Sequence, residues 1–219
     1  MDPFADERDK MVTSQLRRRG INDARVLAAM AKVPRHLFVS GTRRTKAYWD
    51  GPLAIGHYQT ISQPYIVALM CEALALTRNC DCLDIGTGSG YAAAVLSELC
   101  RSVVSVERIP ELAALARNNL RQADYRNIEV HDGDGSLGYE PKAPYDAISV
   151  AAAAPVVPVE LKAQLKPGGR LVIPVGSRQS GQDLIRVYTD AGGSFHNGQF
   201  WEASLSFACV AREGWPEGN

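Results

Sequence analysis

The 219-residue sequence predicts an α/β fold built on a doubly wound, mostly parallel sheet of seven strands. From residue 80 onward, short apolar runs alternate with amphipathic segments, which is the pattern of strands joined by crossover helices. A glycine-rich segment at residues 86–90 separates the first apolar run from the first amphipathic segment. Strand, glycine turn and helix in that order are typical of Rossmann-like nucleotide-binding folds, and we expect a sheet of that kind.

The strands and helices of this core are predicted from local composition. Strands are expected at residues 80–85, 102–107, 127–131, 145–151, 170–175, 184–189 and 204–210. Helices are expected at residues 91–100, 110–123 and 160–165. Pro110 suits the first turn of its helix, because the N–H that proline lacks is not needed there. The sequence Pro167-Gly168-Gly169 is expected to end the third of these helices.

The first 79 residues have a different pattern, with amphipathic helices predicted at residues 6–19, 23–33 and 63–76. Residues 48–59 are rich in glycine, proline and aromatic side chains and are expected to form an ordered loop. We therefore expect a single domain over residues 1–219, in which an N-terminal helical cap (residues 1–79) covers a nucleotide-binding core (residues 80–219).

Charge and hydropathy exclude several classes of protein. Lysine plus arginine equals aspartate plus glutamate at 24 each, so we expect neither nucleic acid nor a membrane surface as a partner. The N-terminus lacks the basic and apolar regions of a secretory signal, and no apolar run reaches the roughly 18 residues of a membrane span. These features predict a cytoplasmic protein, which we expect to be a monomer.

The cysteines and histidines show no spacing of a redox or metal site, so no metal is predicted. The five cysteines are Cys71, Cys80, Cys82, Cys100 and Cys209. Their number is odd and none forms a CxxC pair, which favours free thiols that pack as small apolar side chains.

The glycine turn carries the strongest functional signal. It is Asp84-Ile85-Gly86-Thr87-Gly88-Ser89-Gly90, and its GxGxG spacing lets the backbone turn sharply and a ligand approach closely. Asp84 would repel the pyrophosphate of a dinucleotide, but it suits a ligand with an ammonium group, such as the methionine part of S-adenosylmethionine. Asp84, Gly86, Thr87, Gly88 and Ser89 are therefore candidate cofactor-binding residues. A plain strand-to-helix turn is the alternative interpretation.

Acidic residues at the next two strand ends support the same cofactor. Glu107 ends the second strand, where it can accept hydrogen bonds from the ribose hydroxyls, as the fingerprint acid does in dinucleotide folds. Asp134 and Gly135 follow the third strand, where they are expected to meet the adenine. Alternatively, Glu107 is a surface charge and Asp134 a turn former. The three signals in this order predict an S-adenosylmethionine-dependent methyltransferase.

Several segments, spread over nearly the whole chain, resemble one known family. They include Val33-Pro34-Arg35-His36-Leu37-Phe38-Val39, Pro52-Leu53-Ala54-Ile55-Gly56, Gln59-Thr60-Ile61-Ser62-Gln63-Pro64-Tyr65 and the glycine turn itself. Through these segments the sequence resembles the protein-L-isoaspartate O-methyltransferases. The resemblance implies that Ser62 is the active-site serine and that Gln59, Thr60, Ile61 and Ser62 line the cofactor site.

The resemblance also implies the reaction, which is methyl transfer from S-adenosyl-L-methionine to the α-carboxylate of L-isoaspartyl residues in damaged proteins and peptides. The ester then closes to a succinimide, which hydrolyses partly to normal aspartate. A carboxylate is already an anionic nucleophile at neutral pH, so the enzyme mainly holds oxygen, methyl carbon and sulfur in line. Ser62 would position the carboxylate. Alternatively it caps the following helix, because Pro64 stands at an early helical position.

Three departures from the family pattern leave the substrate open. Tyr58 stands where glycine is usual and narrows the loop before the signature, Ala151 stands where threonine is common, and Cys209 lies in an altered tail segment. A carboxyl methyltransferase that acts on an aspartate of a dedicated peptide is one alternative. Others are a cofactor-binding scaffold without catalysis and a nucleotide-dependent dehydrogenase. The intact Ser62 argues against the scaffold, and the GxGxG spacing argues against the dehydrogenase.

Overall fold

The N-terminal part of the chain is helical in the computed structural model, which describes residues 3–177 and 181–201. Helix α1 (Ala5–Lys10) continues through a π-helical stretch, Met11–Leu16, into a 3₁₀ turn, Arg17–Arg19. The helix predicted at residues 6–19 is thus one helical segment of mixed geometry. It ends at Gly20, whose φ of 95° is a conformation that glycine adopts without strain.

Helix α2 (Ala24–Lys32) confirms the helix predicted at residues 23–33. The side chain of Asp23 accepts hydrogen bonds from the backbone N–H groups of Arg25 and Val26, which satisfies two donors that the first turn leaves free. The helix stops before Pro34, because a residue that precedes proline is disfavoured in the helical region.

A β-hairpin lies where an ordered loop was predicted. Strand β1 (Leu53–Gly56) pairs antiparallel with strand β2 (Gln59–Ile61). The two residues between them, His57 and Tyr58, have φ values of 50° and 57°. A two-residue turn with both φ values positive matches the twist of a hairpin, although asparagine and glycine are the residues that normally occupy it. The loop prediction holds for residues 48–52 but was wrong for residues 53–59, because this turn lacks that sequence signal.

Helix α3 (Pro64–Leu74) follows the hairpin and confirms the helix predicted at residues 63–76. Ten of its eleven residues are buried, since the helix lies between the N-terminal helices and the sheet. It ends at Ala75, which has a φ of 46°.

Within the described residues, the central sheet has seven strands in the order β5-β4-β3-β6-β7-β8-β9. They are β3 (Asp81–Ile85), β4 (Ser102–Glu107), β5 (Ile128–Asp132), β6 (Tyr145–Val150), β7 (Leu165–Ser177), β8 (Gly181–Thr189) and β9 (Phe195–Trp201). Neighbours from β5 to β7 are parallel, and the last two pairings are antiparallel. Helices α4 (Tyr91–Ser97), α5 (Pro110–Gln122) and α6 (Val159–Ala163) connect the parallel strands. The predicted Rossmann-like, mostly parallel seven-stranded sheet is confirmed.

The start of β7 and the position of the last strand differ from the prediction. Helix α6 ends at Ala163, and strand β7 already begins at Leu165 and runs through Pro167-Gly168-Gly169. The register with β6 shifts across this segment, so proline and the glycines form an irregularity within the strand. The seventh strand is β9, which the sequence did not predict. The strand expected at residues 204–210 lies outside the described residues.

Apolar side chains pack on both faces of the sheet. On one face, a cluster joins the N-terminal part to the core: Met11, Met30 and Leu69 pack with Leu96 and Val172. On the other face, a second cluster includes residues of β3, β6 and β7 together with Leu161 of α6. Cys71, Cys80, Cys82 and Cys100 are free thiols, as predicted, and Cys209 lies outside the described residues. Within the described ranges, no helix has the length and apolar character needed to cross a membrane.

Candidate active site

The glycine turn lies at the carboxyl end of β3 and is tied to β4. The N–H of Gly86 donates to the carbonyl of Val106 at 2.9 Å. Gly86, Gly88 and Gly90 have φ values of 88°, 55° and 92°, so all three use the conformation for which glycine is preferred. The predicted turn is therefore a tight strand-to-helix connection at the sheet edge where Rossmann-like folds bind nucleotides.

Asp84 is a fully buried carboxylate with an unused oxygen. Its Oδ2 accepts a hydrogen bond from the hydroxyl of Ser105 at 2.7 Å, and that hydroxyl lies 2.6 Å from Thr87 Oγ1. Its Oδ1 is buried and accepts no hydrogen bond from residues 3–177 or 181–201. Burial raises the pKa of Asp84 to about 6, opposed by the Ser105 hydrogen bond and reinforced by the charge of Glu107. When such a buried carboxylate is ionised, a neighbouring cation stabilises it. An ammonium group supplies both the positive charge and hydrogen-bond donors.

Glu107 is also buried, which contradicts the interpretation of this residue as a surface charge. Its Oε2 accepts the N–H of Gly88 at 2.8 Å, and its Oε1 accepts the N–H of Ile109 at 2.9 Å. Each carboxylate oxygen has two acceptor positions, so one remains on each oxygen. The carboxylate is thus fixed beside the glycine turn and keeps the capacity to accept two further hydrogen bonds.

Asp134 forms the cap of a short 3₁₀ turn, Gly135–Leu137. Its Oδ1 accepts from the N–H and the hydroxyl of Ser136 at 2.9 and 2.7 Å. The structure therefore supports the turn-former interpretation. Binding through Oδ2 stays compatible with this cap, because the two bonds use only Oδ1.

Gly135 is held against the end of β3. A Cβ on this residue would lie 2.4 Å from Cγ2 of Ile85, which is closer than side-chain carbons approach. This contact brings the loop after β5 next to Asp84, the neighbour of Ile85. Three of the predicted signals, from β3, β4 and β5, thus meet at one edge of the sheet.

The hairpin brings the Gln59–Ser62 segment to the same edge. Ile55 of β1 lies over Gly88, where its Cδ1 would be 3.3 Å from a Cβ. On β2, Gln59 is half-buried with its Nε2 3.4 Å from the carbonyl of His57, Thr60 is exposed and Ile61 is buried. Ile55 was not among the predicted site residues; its place in the Pro52–Gly56 motif was the signal that could have indicated it.

Ser62 lies between β2 and α3 and does not cap the helix. The residue at the capping position is Gln63, and its side chain makes no capping hydrogen bond. The side-chain Nε2 of Gln63 instead donates to Oδ1 of Asp50 at 2.7 Å. The interpretation of Ser62 as a helix cap was therefore wrong. Its hydroxyl has no hydrogen bond to the part of the chain that the structure describes, and its carbonyl accepts from Arg35 at 2.8 Å. The hydroxyl is available to a substrate.

The departures from the family pattern have different surroundings. Tyr58 is at the tip of the hairpin and is fully exposed, so it projects into solvent instead of narrowing the loop. Ala151 follows β6, and its Cβ would be 3.6 Å from a Cβ on Gly86. Its place beside the glycine turn was not predicted. Cys209 lies outside the described residues.

Together, the fold and this edge of the sheet define a class of protein, the Rossmann-like S-adenosylmethionine-dependent methyltransferases. Comparison with known proteins narrows the class. The model of the family named protein-L-isoaspartate(D-aspartate) O-methyltransferase matches residues 7–204, and the chain belongs to this family.

Relatives match over most of the chain. A protein-L-isoaspartate O-methyltransferase of Methanoculleus marisnigri is 56% identical over 191 residues, which cover 87% of this chain and 86% of the relative. A protein-L-isoaspartate O-methyltransferase 2 of Marinobacter nauticus is 50% identical over 213 residues, which cover 97% of each chain.

Solved structures confirm the fold. A protein-L-isoaspartate O-methyltransferase superposes with a TM-score of 0.84 at 27% identity, over 94% of this chain and 66% of that longer one. A Plasmodium falciparum protein with that description, solved with S-adenosyl-L-homocysteine, has a TM-score of 0.80 at 24% identity and covers 94% of this chain and 99% of its own.

Proposed function

We propose that this chain transfers a methyl group from S-adenosyl-L-methionine to the α-carboxylate of L-isoaspartyl residues and so starts their repair. The observation that supports it most strongly is the pair of buried carboxylates, Asp84 and Glu107, beside the glycine turn of a chain in this family. One carboxylate suits an ammonium group and the other suits vicinal hydroxyls, and S-adenosylmethionine carries both.

The cofactor is oriented by its two polar ends. Its ammonium group would pair with Asp84 Oδ1, which has no hydrogen-bond partner among the described residues, and its ribose hydroxyls would donate to Glu107. Gly86, Thr87, Gly88 and Ser89 would border the methionine part. Asp134 and Gly135 would border the adenine, and Gln59, Thr60 and Ile61 would cover the cofactor from the hairpin side.

Methyl transfer needs alignment more than proton transfer. One oxygen of the isoaspartyl carboxylate attacks the methyl carbon, the carbon–sulfur bond breaks, and the sulfur keeps the electron pair. The products are a methyl ester and S-adenosyl-L-homocysteine, and no proton is transferred. Ser62 would donate a hydrogen bond to the other carboxylate oxygen, so that the attacking oxygen lies in line with sulfur. The ester then loses methanol when the neighbouring amide nitrogen closes the succinimide.

Other properties of the chain follow as part of the proposal. Residues 1–219 act as one domain, which the apolar cluster shared by the N-terminal part and the sheet supports. We infer a monomer that works in the cytoplasm on isoaspartyl proteins and does not bind nucleic acid. The zero net charge and the free thiols support this inference.

The test uses the wild-type chain, tritiated S-adenosylmethionine and two synthetic peptides that differ only in an isoaspartyl or aspartyl linkage. We expect label on the isoaspartyl peptide alone. Label on the aspartyl peptide would indicate the alternative carboxyl substrate. Binding of S-adenosyl-L-homocysteine by calorimetry without labelling of either peptide would indicate a scaffold, and the proposal would then be withdrawn.

A further inference from the structure

Arg35 is a completely buried cation without a carboxylate partner. It begins a short 3₁₀ turn, Arg35–Phe38, and its side chain is 0% exposed. Its Nε donates to the carbonyl of Ala47 at 2.7 Å, and its Nη2 donates to the carbonyl of Ser62 at 2.8 Å. The third nitrogen, Nη1, is buried and has no hydrogen-bond partner in the described part of the chain. Among the described residues, no aspartate or glutamate forms an ion pair with it.

Such a group is costly to keep in a protein interior. A buried charge loses its hydration, and a buried donor without an acceptor adds to that loss. Burial lowers the pKa of Arg35, and the neighbouring Tyr91 and Tyr48 oppose this shift. Guanidinium groups remain protonated in proteins, so the positive charge stays. The carbonyls of Ala47 and Ser62 use Nε and Nη2, but no group of the described residues accepts from Nη1, so packing and these two hydrogen bonds do not fully account for Arg35.

Arg35 lies between the Ser62 segment and helix α4, which follows the glycine turn. One end of its guanidinium holds the backbone of Ser62. Its central carbon lies 4.6 Å from the ring centroid of Tyr91, the first residue of α4. Tyr91 directly follows Gly90, the last glycine of the glycine turn. Arg35 therefore contacts both the segment that would hold the acceptor carboxylate and the helix that begins at the cofactor.

We infer that Arg35 is a positioning residue that holds the Ser62 backbone and whose unpaired charge favours binding of the anionic acceptor carboxylate. This inference rests on the proposed function. The charge of Arg35 affects binding of the peptide more than the transfer of the methyl group. The acceptor is anionic when it binds, but it becomes a neutral ester during transfer. A fixed positive charge therefore stabilises the bound peptide more than the transition state, and its loss appears mainly in the KM for the peptide.

Two substitutions separate charge from shape. Arg35→Met keeps the approximate volume but removes the charge and both donors. Arg35→Lys keeps the charge but replaces the planar fork, which serves two carbonyls, with one ammonium group. A matched control is Arg25→Met, because Arg25 lies in the same N-terminal part and donates to the carbonyl of Leu76 at 2.6 Å.

The experiment measures peptide KM, kcat, calorimetric affinity for S-adenosyl-L-homocysteine and melting temperature for wild type and the three variants. We expect Arg35→Met to raise the peptide KM about tenfold or more, because the variant loses both the bond to the Ser62 backbone and the nearby positive charge. Affinity for S-adenosyl-L-homocysteine should change less than about threefold, and Arg35→Lys should recover part of the KM. Arg25→Met should keep the wild-type KM even if it lowers the melting temperature.

Several results would overturn the inference. One is an unchanged peptide KM in folded Arg35→Met. Another is a parallel loss of peptide KM, cofactor affinity and melting temperature in the Arg35 variants, which would indicate a structural role only. If Arg35→Met does not fold, Arg35→Lys decides alone: a wild-type KM supports the charge role, and a KM raised together with loss of cofactor affinity contradicts it. Failure of the proposed function is distinct, because the wild type itself would then leave the isoaspartyl peptide unlabelled.

Discussion

Oε2 of Glu107 accepts a hydrogen bond from the N–H of Gly88 at 2.8 Å, so the acid that ends β4 is bound directly to the glycine turn after β3. Glu107 and the glycine turn are separated in the sequence but are joined by a hydrogen bond in the structure. The bond fixes the carboxylate at the sheet edge, and a ribose bound there would meet an acceptor that is already oriented.

Glu107→Ala is therefore expected to weaken binding of S-adenosyl-L-homocysteine by ~1.5–3 kcal/mol, the scale of losing hydrogen bonds to a charged group. Calorimetry on the purified variant measures it. Glu129→Ala is a matched control, since Glu129 is an exposed glutamate of β5 that pairs with Lys142. Unchanged affinity in Glu107→Ala would remove Glu107 from the cofactor site.

Asp84 is expected to lower the stability of the ligand-free protein at neutral pH. Its pKa is raised from 3.8 to about 6, so the folded protein favours the protonated form. The resulting penalty is absent below about pH 4, develops as the pH rises towards 6, and is complete above it. Its size is at most about 3 kcal/mol, from the constant of 1.36 kcal/mol per pKa unit.

Asp84→Asn should then raise the melting temperature more at pH 8 than at pH 5, while it weakens S-adenosyl-L-homocysteine binding about ten- to a hundredfold. Asp124→Asn serves as the control, because Asp124 is exposed and its φ of 59° suits asparagine. An equal shift at both pH values for Asp84→Asn would show that the buried charge is not the cause.

Asp134 should contribute to both stability and binding. Asp134→Ala removes a cap and is expected to cost ~1 kcal/mol of unfolding free energy. Asp134→Ser keeps an acceptor for the N–H of Ser136 and should retain most of that stability. If the carboxylate meets the adenine, both variants bind S-adenosyl-L-homocysteine more weakly by calorimetry. Normal affinity in Asp134→Ser would leave Asp134 as a turn former only.

Gly135→Ala is expected to destabilise the protein by about 1–3 kcal/mol, because its Cβ would overlap Ile85 and force the loop after β5 to move. Denaturant unfolding measures this loss. Gly51→Ala is the matched control, since a Cβ there meets no atom within 4 Å. If the two variants are equally stable, the loop after β5 tolerates a side chain and does not depend on this close contact.

How well an element could be predicted depended on how clearly its local sequence marks its ends and its burial. The bounds of β4 agree at both ends with the prediction, because its buried β-branched run is bounded by polar residues. Strand β9 was missed because Asn197 and Gly198 interrupt its pattern and, within the described part of the chain, it pairs with β8 alone. The burial of Arg35 could not be predicted, because arginine is normally exposed and its contacts come from segments far apart in the chain.

Ser62→Ala tests whether the serine hydroxyl positions the acceptor. Loss of one preorganised hydrogen bond should lower methyl transfer about ten- to a hundredfold, with cofactor affinity nearly unchanged. Ser62→Thr keeps the hydroxyl and should be milder. Because Ser62 does not cap α3, neither variant is expected to lose the stability of a helix cap. Full activity of Ser62→Ala would withdraw the assignment.

Mass spectrometry of one peptide shows whether the chain methylates an isoaspartyl carboxylate and so starts its repair. The isoaspartyl peptide is incubated with the enzyme and S-adenosylmethionine, and its products are followed over time. We predict a methyl ester first, then a succinimide after loss of methanol, and then a growing fraction of normal aspartyl peptide. An isoaspartyl peptide that stays unmodified while the aspartyl control gains the methyl group would show that the chain acts on a different carboxylate.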